Sequence, residues 1–167
     1  MVVPLIDENR RGNARGRISR IRQADADHQV VTVVTPTSDR LRHRRRPCEE
    51  CPWRKDAPRG AFPAEAYRHS ADTAHDMSQS QFSCHMSGAE KVSTCAGFLL
   101  RGADHNLAIR MAMREGRFDP ADVTDDGIEL YAGYRSMAIA NGVDPADATI
   151  AGCRGADEIP HRRERDL

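Results

Sequence analysis

Four of the five cysteines fall within one short stretch, Cys48 and Cys51 as C-x2-C, then Cys84 and Cys95 as C-x10-C. Thiolates are the soft donors that zinc and iron–sulfur clusters select. A C-x2-C turn aims two sulfurs at one centre, and a second pair from elsewhere in the chain completes a four-coordinate shell. A thiol redox pair, or thiols buried separately as small apolar residues, are the competing readings. The clustering favours a shared metal, with Cys48, Cys51, Cys84 and Cys95 as ligands. Zinc is the expected ion and a [4Fe-4S] cluster the alternative, because cluster ligand spacings vary widely. A zinc ribbon would bring two C-x2-C pairs, which this chain does not. His85, directly after Cys84, is expected just outside the ligand shell or as a substitute ligand, and His75 likewise. Trp53, Phe82 and Phe98 are expected to pack around the sulfurs as a dry shell.

The stretches "CEECPWR", "FSCH" and "CAGFLL" resemble an uncharacterised family of small actinobacterial and actinophage proteins with the pattern C-x2-C-P-[WF]-R, F-x-C-H and C-A-G-[FW]. The resemblance spans about residues 44 to 101. It implies that Cys48, Cys51, Cys84, His85 and Cys95 belong to one site, and it implies no activity. Ser87 stands where that pattern usually has threonine, which keeps the hydroxyl. The chain is also loosely similar to the WhiB regulators, which hold a cubane cluster on four cysteines. Their C-x2-C-x5-C spacing is missing here, so that likeness is an analogy.

These residues need elements to position them. Residues 1–43 read as a basic arm, disordered over residues 1–28 and carrying one short strand at 29–35 that Pro36 ends. Residues 44–142 read as a cysteine-rich helical domain, and 143–167 as a short helix and charged tail. Pro63 suits the first position of a helix running to about Met77. Asp104 is expected to cap a helix over 105–115 that Gly116 ends. Asp125 or Asp126 is expected to open another, closed at Asn141-Gly142, with Ile128, Tyr131, Ala132, Ala138 and Ile139 facing inward. The fold class expected is mainly α, metal-stapled, with long metal-ligating loops and at most a short β element.

Aromatic residues are 5% of the chain and mean hydropathy is -0.66, so a metal staple would help a small core. No apolar run reaches the roughly 18 residues of a membrane span, and the N-terminus lacks a secretory h-region, which gives a cytoplasmic expectation and no membrane partner. Net charge is zero, yet residues 1–59 hold 14 basic against 8 acidic side chains, while 119–147 hold 7 acids and one base. The uneven charge suggests separate faces or partners. Arg40, Arg42, Arg44, Arg45 and Arg46 are candidates for contact with nucleic acid or an acidic protein. The oligomeric state is left open. The expected function is a non-enzymatic binding or regulatory module, with an iron–sulfur redox or iron sensor as one alternative. A thiol or metal-dependent enzyme using the Cys84-His85 step is the other. Against an enzyme stands the lack of H-E-x-x-H, a Walker loop, a nucleophile elbow or the deaminase H-x-E…P-C-x-x-C pattern.

Overall fold

A computed structural model describes residues 2–4, 16–35 and 39–153. The disorder expected over 5–15 and the charged tail after 153 lie outside the described residues, as does Pro36.

The fold is mixed, which corrects the mainly helical expectation with at most a short β element. Three strands, β1 (Val2–Pro4), β2 (Arg17–Gln23) and β3 (His28–Val34), form an antiparallel sheet in the order β1-β3-β2. The expected strand at 29–35 is β3, the central one. Its partner β2 lies in the segment expected to be disordered, paired Arg17↔Val34 through Gln23↔Gln29 with an irregularity between Ile18 and Arg20. An Asx turn closes the hairpin, where the Asp25 carboxylate accepts from the backbone N–H groups of Asp27 and His28. The sequence "RISRIRQ" reads as polar because its arginines obscure the alternation, but the sheet needs only an interior for β3. Val30 is buried with Ala66 on one side, and Val31 with Val92 on the other.

Among the described residues are five short helices: α1 (Ala64–Ser70), α2 (Ala96–Arg101), α3 (Leu107–Arg114), α4 (Tyr134–Ala140) and α5 (Ala148–Ala151). Pro63 is the cap of α1, and the helix tightens into a 3-10 turn over Ala71–Ala74 instead of continuing to Met77. At α3 the cap is Asn106, not Asp104. Its buried side chain accepts from Ile109 N–H at 3.1 Å and donates to Ser80 and Thr73 carbonyls at 2.7 and 3.1 Å. Both amide hydrogens and the oxygen are engaged, which is how an amide can be wholly buried. Gly116, at φ +69°, ends α3 as expected.

The helix expected to open at Asp125 or Asp126 begins only at Tyr134. Asp126 and Gly127 take φ +53° and +79°, and Thr124 Oγ1 and the Asp125 carboxylate accept their N–H groups. Left-handed residues and local side-chain bonds fix a turn where a helix would need right-handed backbone.

Trp53 lies at the centre of the core, fully buried. Phe82, Phe98 and Tyr134 stand around it with ring centroids 5.9–6.2 Å away. Helix α2 reaches it through two glycines. A Cβ on Gly97 would lie 2.5 Å from the Trp53 Cβ, and one on Gly102 would strike the far end of the indole. This is the physical reason for glycine after "CA": only bare backbone fits against that ring. The core runs on past residue 142 to Val143, Ile150 and Cys153.

Candidate metal centre

Thr94 joins the two segments that carry Cys84 and Cys95 to the stretch that leads into Cys48. Residues 82–84 pair antiparallel with 93–95, through Cys84 N–H to Ser93 O at 2.8 Å and Cys95 N–H to Phe82 O at 2.9 Å. Residues 42–44 lie parallel on the other side, with Thr94 N–H to Arg42 O and Arg44 N–H to Thr94 O, both at 2.9 Å. The first cysteine loop is tied separately, by Tyr131 N–H to Trp53 O at 2.9 Å and Lys55 N–H to Glu129 O at 3.0 Å. Ser87 fastens the turn after Cys84, donating to Cys84 O at 2.7 Å and accepting from Ser93 N–H at 3.1 Å. The hydroxyl noted in the sequence therefore has a structural task.

The four thiols meet as two close pairs, which the electrostatic influence of Cys48 and Cys51 on each other links. Cys51 Sγ lies 3.6 Å from Cys95 Sγ, and Cys84 Sγ lies 4.0 Å from Cys48 Sγ. Cys48 and Cys51 interact through their side chains as well. Each cysteine also opens a tight turn. The carbonyls of Cys48, Cys51, Cys84 and Cys95 accept from the N–H groups of Cys51, Arg54, Ser87 and Leu99 at 2.9–3.1 Å. The first N–H groups of a turn have no acceptor within it and favour negative charge. Accordingly, the backbone N–H groups of Trp53 and Met86 support the Cys51 and Cys84 sulfurs two residues before them.

Crowding works the other way. The Cys51 contact, only partly offset by Cys84, pushes the Cys48 thiol up to about 11, with burial adding to the rise. At Cys51 the Cys48 contact favours ionisation but is outweighed by the Cys95 contact and burial, so its pKa is raised. Cys84 is raised by its contact with Cys48 and by burial. Adjacent buried thiols resist ionising together unless a cation joins them. Among the described residues no three histidine, cysteine or acidic side chains are arranged around a common ion position as they stand. The sulfurs touch in succession instead.

His85 adjoins the group, with Nε2 3.2 Å from Cys48 Sγ and its ring edge-on to Phe62 at 5.0 Å. Burial lowers its pKa, against the pull of Glu50, so it favours the neutral ring. His75 is elsewhere. Its Nε2 lies 3.2 Å from Thr149 O, and its backbone bridges Cys153. Cys153 is buried with Sγ 3.3 Å from Ala71 O, apart from the other four. Trp53, Phe82 and Phe98 share one buried cluster with Cys51, Cys84 and Cys95. Two residues missed by sequence reasoning complete the wall. Tyr134 is fully buried, donates to Tyr67 O at 2.7 Å and lies 3.0 Å from Ser70 Oγ. Arg54 spans from Asp56, at 2.6 and 2.7 Å, to the Cys48 carbonyl at 3.4 Å. The arginine ending "CPWR" was the available signal for the second.

Arg45, Arg46 and Lys55 of the basic front, and Arg101, meet acids of the 119–147 stretch. Arg46 meets Asp126 at 2.8 Å, Arg45 meets Asp122 at 3.9 Å, Arg101 meets Asp125 at 3.7 Å and Lys55 meets Glu129 at 3.7 Å. No helix among the described residues is long and apolar enough to cross a membrane.

Comparison with curated proteins gives no match, and comparison with solved structures gives none either. One family model does match, over residues 43–154, which takes in the cysteine group, the aromatic core and all five helices while leaving out the sheet. The chain belongs to that family, described as a family of unknown function (DUF6283).

Proposed function

We propose that this protein is a metal-binding, non-enzymatic binding or regulatory module in which Cys48, Cys51, Cys84 and Cys95 hold one zinc ion. The observation that carries the reading is the meeting of four sulfurs from three chain segments. Tetrahedral zinc with Zn–S near 2.3 Å separates its sulfurs by about 3.8 Å. The contacts at 3.6 and 4.0 Å lie on either side of that value. A cubane places each cysteine on a different iron, so its sulfurs stand beyond contact with one another. That favours zinc over the cluster. Binding would replace crowded thiols by thiolates around one cation, with the turn N–H groups already aimed at them.

The role assigned to the ion is structural. Cys51, Cys84 and Cys95 are sealed from solvent, with four sulfurs available for four coordination positions, whereas catalytic zinc keeps one open. His85 serves best as a partner of the Cys48 sulfur at the one half-exposed corner. A reducing, intracellular setting belongs to the proposal, since it keeps Cys48, Cys51, Cys84 and Cys95 as thiols able to take a metal. The test is metal analysis of variants. Cys48→Ser and Cys95→Ser should each lose zinc and the folded Trp53 environment, while Cys153→Ser keeps both. Full zinc in Cys95→Ser would refute the assignment.

A further inference from the structure

We infer that the cleft between the sheet and the cysteine domain binds an organic phosphate of about nucleotide size. The inference is independent of the metal reading, because no cysteine lines the cleft. Its volume is about 1300 Å³, and one wall is formed by β3 from Val30 to Val34 and by Thr35 after it.

Its charge differs from that of the chain. Arg22, Arg40, Arg42, Lys91 and Arg117 line it, against two acids, Asp72 and Glu90. The chain as a whole is neutral. Arg117 is held by Glu115, but among the described residues Arg22, Arg42 and Lys91 have no carboxylate partner. Residues 41–44 are extended beside Thr94, so alternate side chains point opposite ways. His43 turns toward the core, against Phe118 at 5.0 Å, while Arg40, Leu41 and Arg42 line the cleft. Of the groups that line it, the guanidinium groups suit phosphate oxygens best, because their fork of donors matches two oxygens at once.

The rest of the wall suits the body of such a ligand. Gln79, Ser80 and Ser83 offer amide and hydroxyl groups, and Leu107 and Met111 offer an apolar floor. No aromatic side chain lines the cleft among the described residues, so there is no platform for the stacked bases of a single strand. The lining thus points to a discrete phosphate ester over a nucleic-acid track. It also divides the arginine cluster by role: Arg40 and Arg42 face the cleft, while Arg45 and Arg46 pair with Asp122 and Asp126.

The experiment is calorimetric titration of the full chain, as purified, with ADP, with pyrophosphate and with a twelve-residue oligothymidylate. ADP should bind the wild type, and Arg42→Gln with Lys91→Gln together should weaken it at least tenfold. Arg46→Gln, outside the cleft, should bind as the wild type does. Both cleft residues are exposed, so Trp53 fluorescence and metal content should be unchanged in the double variant. Failure of ADP to bind would overturn the inference, as would ADP binding that ignores the double substitution. Binding of pyrophosphate alone would remove the organic body from the proposal, and binding of the oligonucleotide alone would replace it with a polyanion surface.

Discussion

Gly97→Ala places one methyl group against the most crowded point of the core. The added Cβ would stand 2.5, 2.6 and 3.0 Å from the Cβ, Cγ and Cδ1 of Trp53. Ordinary carbon contacts lie near 3.5–4.0 Å, so the indole or helix α2 must move by about 1 Å. The indole has little room, with Phe82, Phe98 and Tyr134 around it and its own carbonyl bonded by Tyr131 N–H. Overpacking of this kind costs about 1–3 kcal/mol. Replacing glycine by alanine inside a helix returns up to about 1 kcal/mol. The net expectation is a loss of about 1–2 kcal/mol. At this chain length that lowers Tm by about 2–8 °C. The assay is direct, because Trp53 is the chain's one tryptophan and its fluorescence reports on the core itself. Gly152→Ala is the control. Its backbone at φ -84° suits alanine and its new Cβ meets His75 at 3.4 Å, an ordinary contact, so stability should stay within about 0.5 kcal/mol. A Gly97→Ala protein as stable as the wild type would refute the packing of α2 on Trp53.

Tyr134→Phe removes the buried donor to Tyr67 O, while Ser70 keeps its bond to Ala66 O, so urea unfolding should show a loss of about 1–3 kcal/mol with an unchanged slope. The Arg68 guanidinium, with help from Thr149, holds the Asp147 carboxyl down to about 2. The sign follows: a depressed folded pKa stabilises above the unfolded value near 4 and loses that effect as pH falls through about 2. The stability difference between wild type and Asp147→Asn should therefore be full above pH 4 and shrink toward pH 2. A difference constant with pH would contradict it. Stripping metal with a chelator should red-shift Trp53 emission, and zinc alone should restore it; emission indifferent to chelation would detach the core from the metal.

The meeting of Cys48, Cys51, Cys84 and Cys95 was legible because cysteine is rare in this chain and a C-x2-C turn defines its own geometry. The role of Trp53 was legible from its place beside that turn. Helix α3 was legible for its apolar spacing and for Gly116. Other features depend on distant partners. Strand β2 hides its alternation under arginines and exists because β3 lies beside it. Helix α2 is six residues long, too short to show a period, and is fixed by Gly97 and Gly102 meeting an indole more than forty residues away. Asp125 and Asp126 look like helix caps in isolation, but the left-handed backbone at Asp126 and Gly127 makes a turn. His75 carries the same chemistry as His85, and only the packing of α5 shows that it points elsewhere. The pairing of basic residues 45–55 with acidic residues 122–129 is likewise a product of folding, invisible to a count of charges along the chain.

The central claim is that one zinc ion joins these four sulfurs. The most direct measurement is elemental analysis with an absorption spectrum on protein purified without oxygen or added metal. A colourless protein with one zinc per chain is expected. A brown protein containing iron and sulfide, or one with no bound metal, would contradict it.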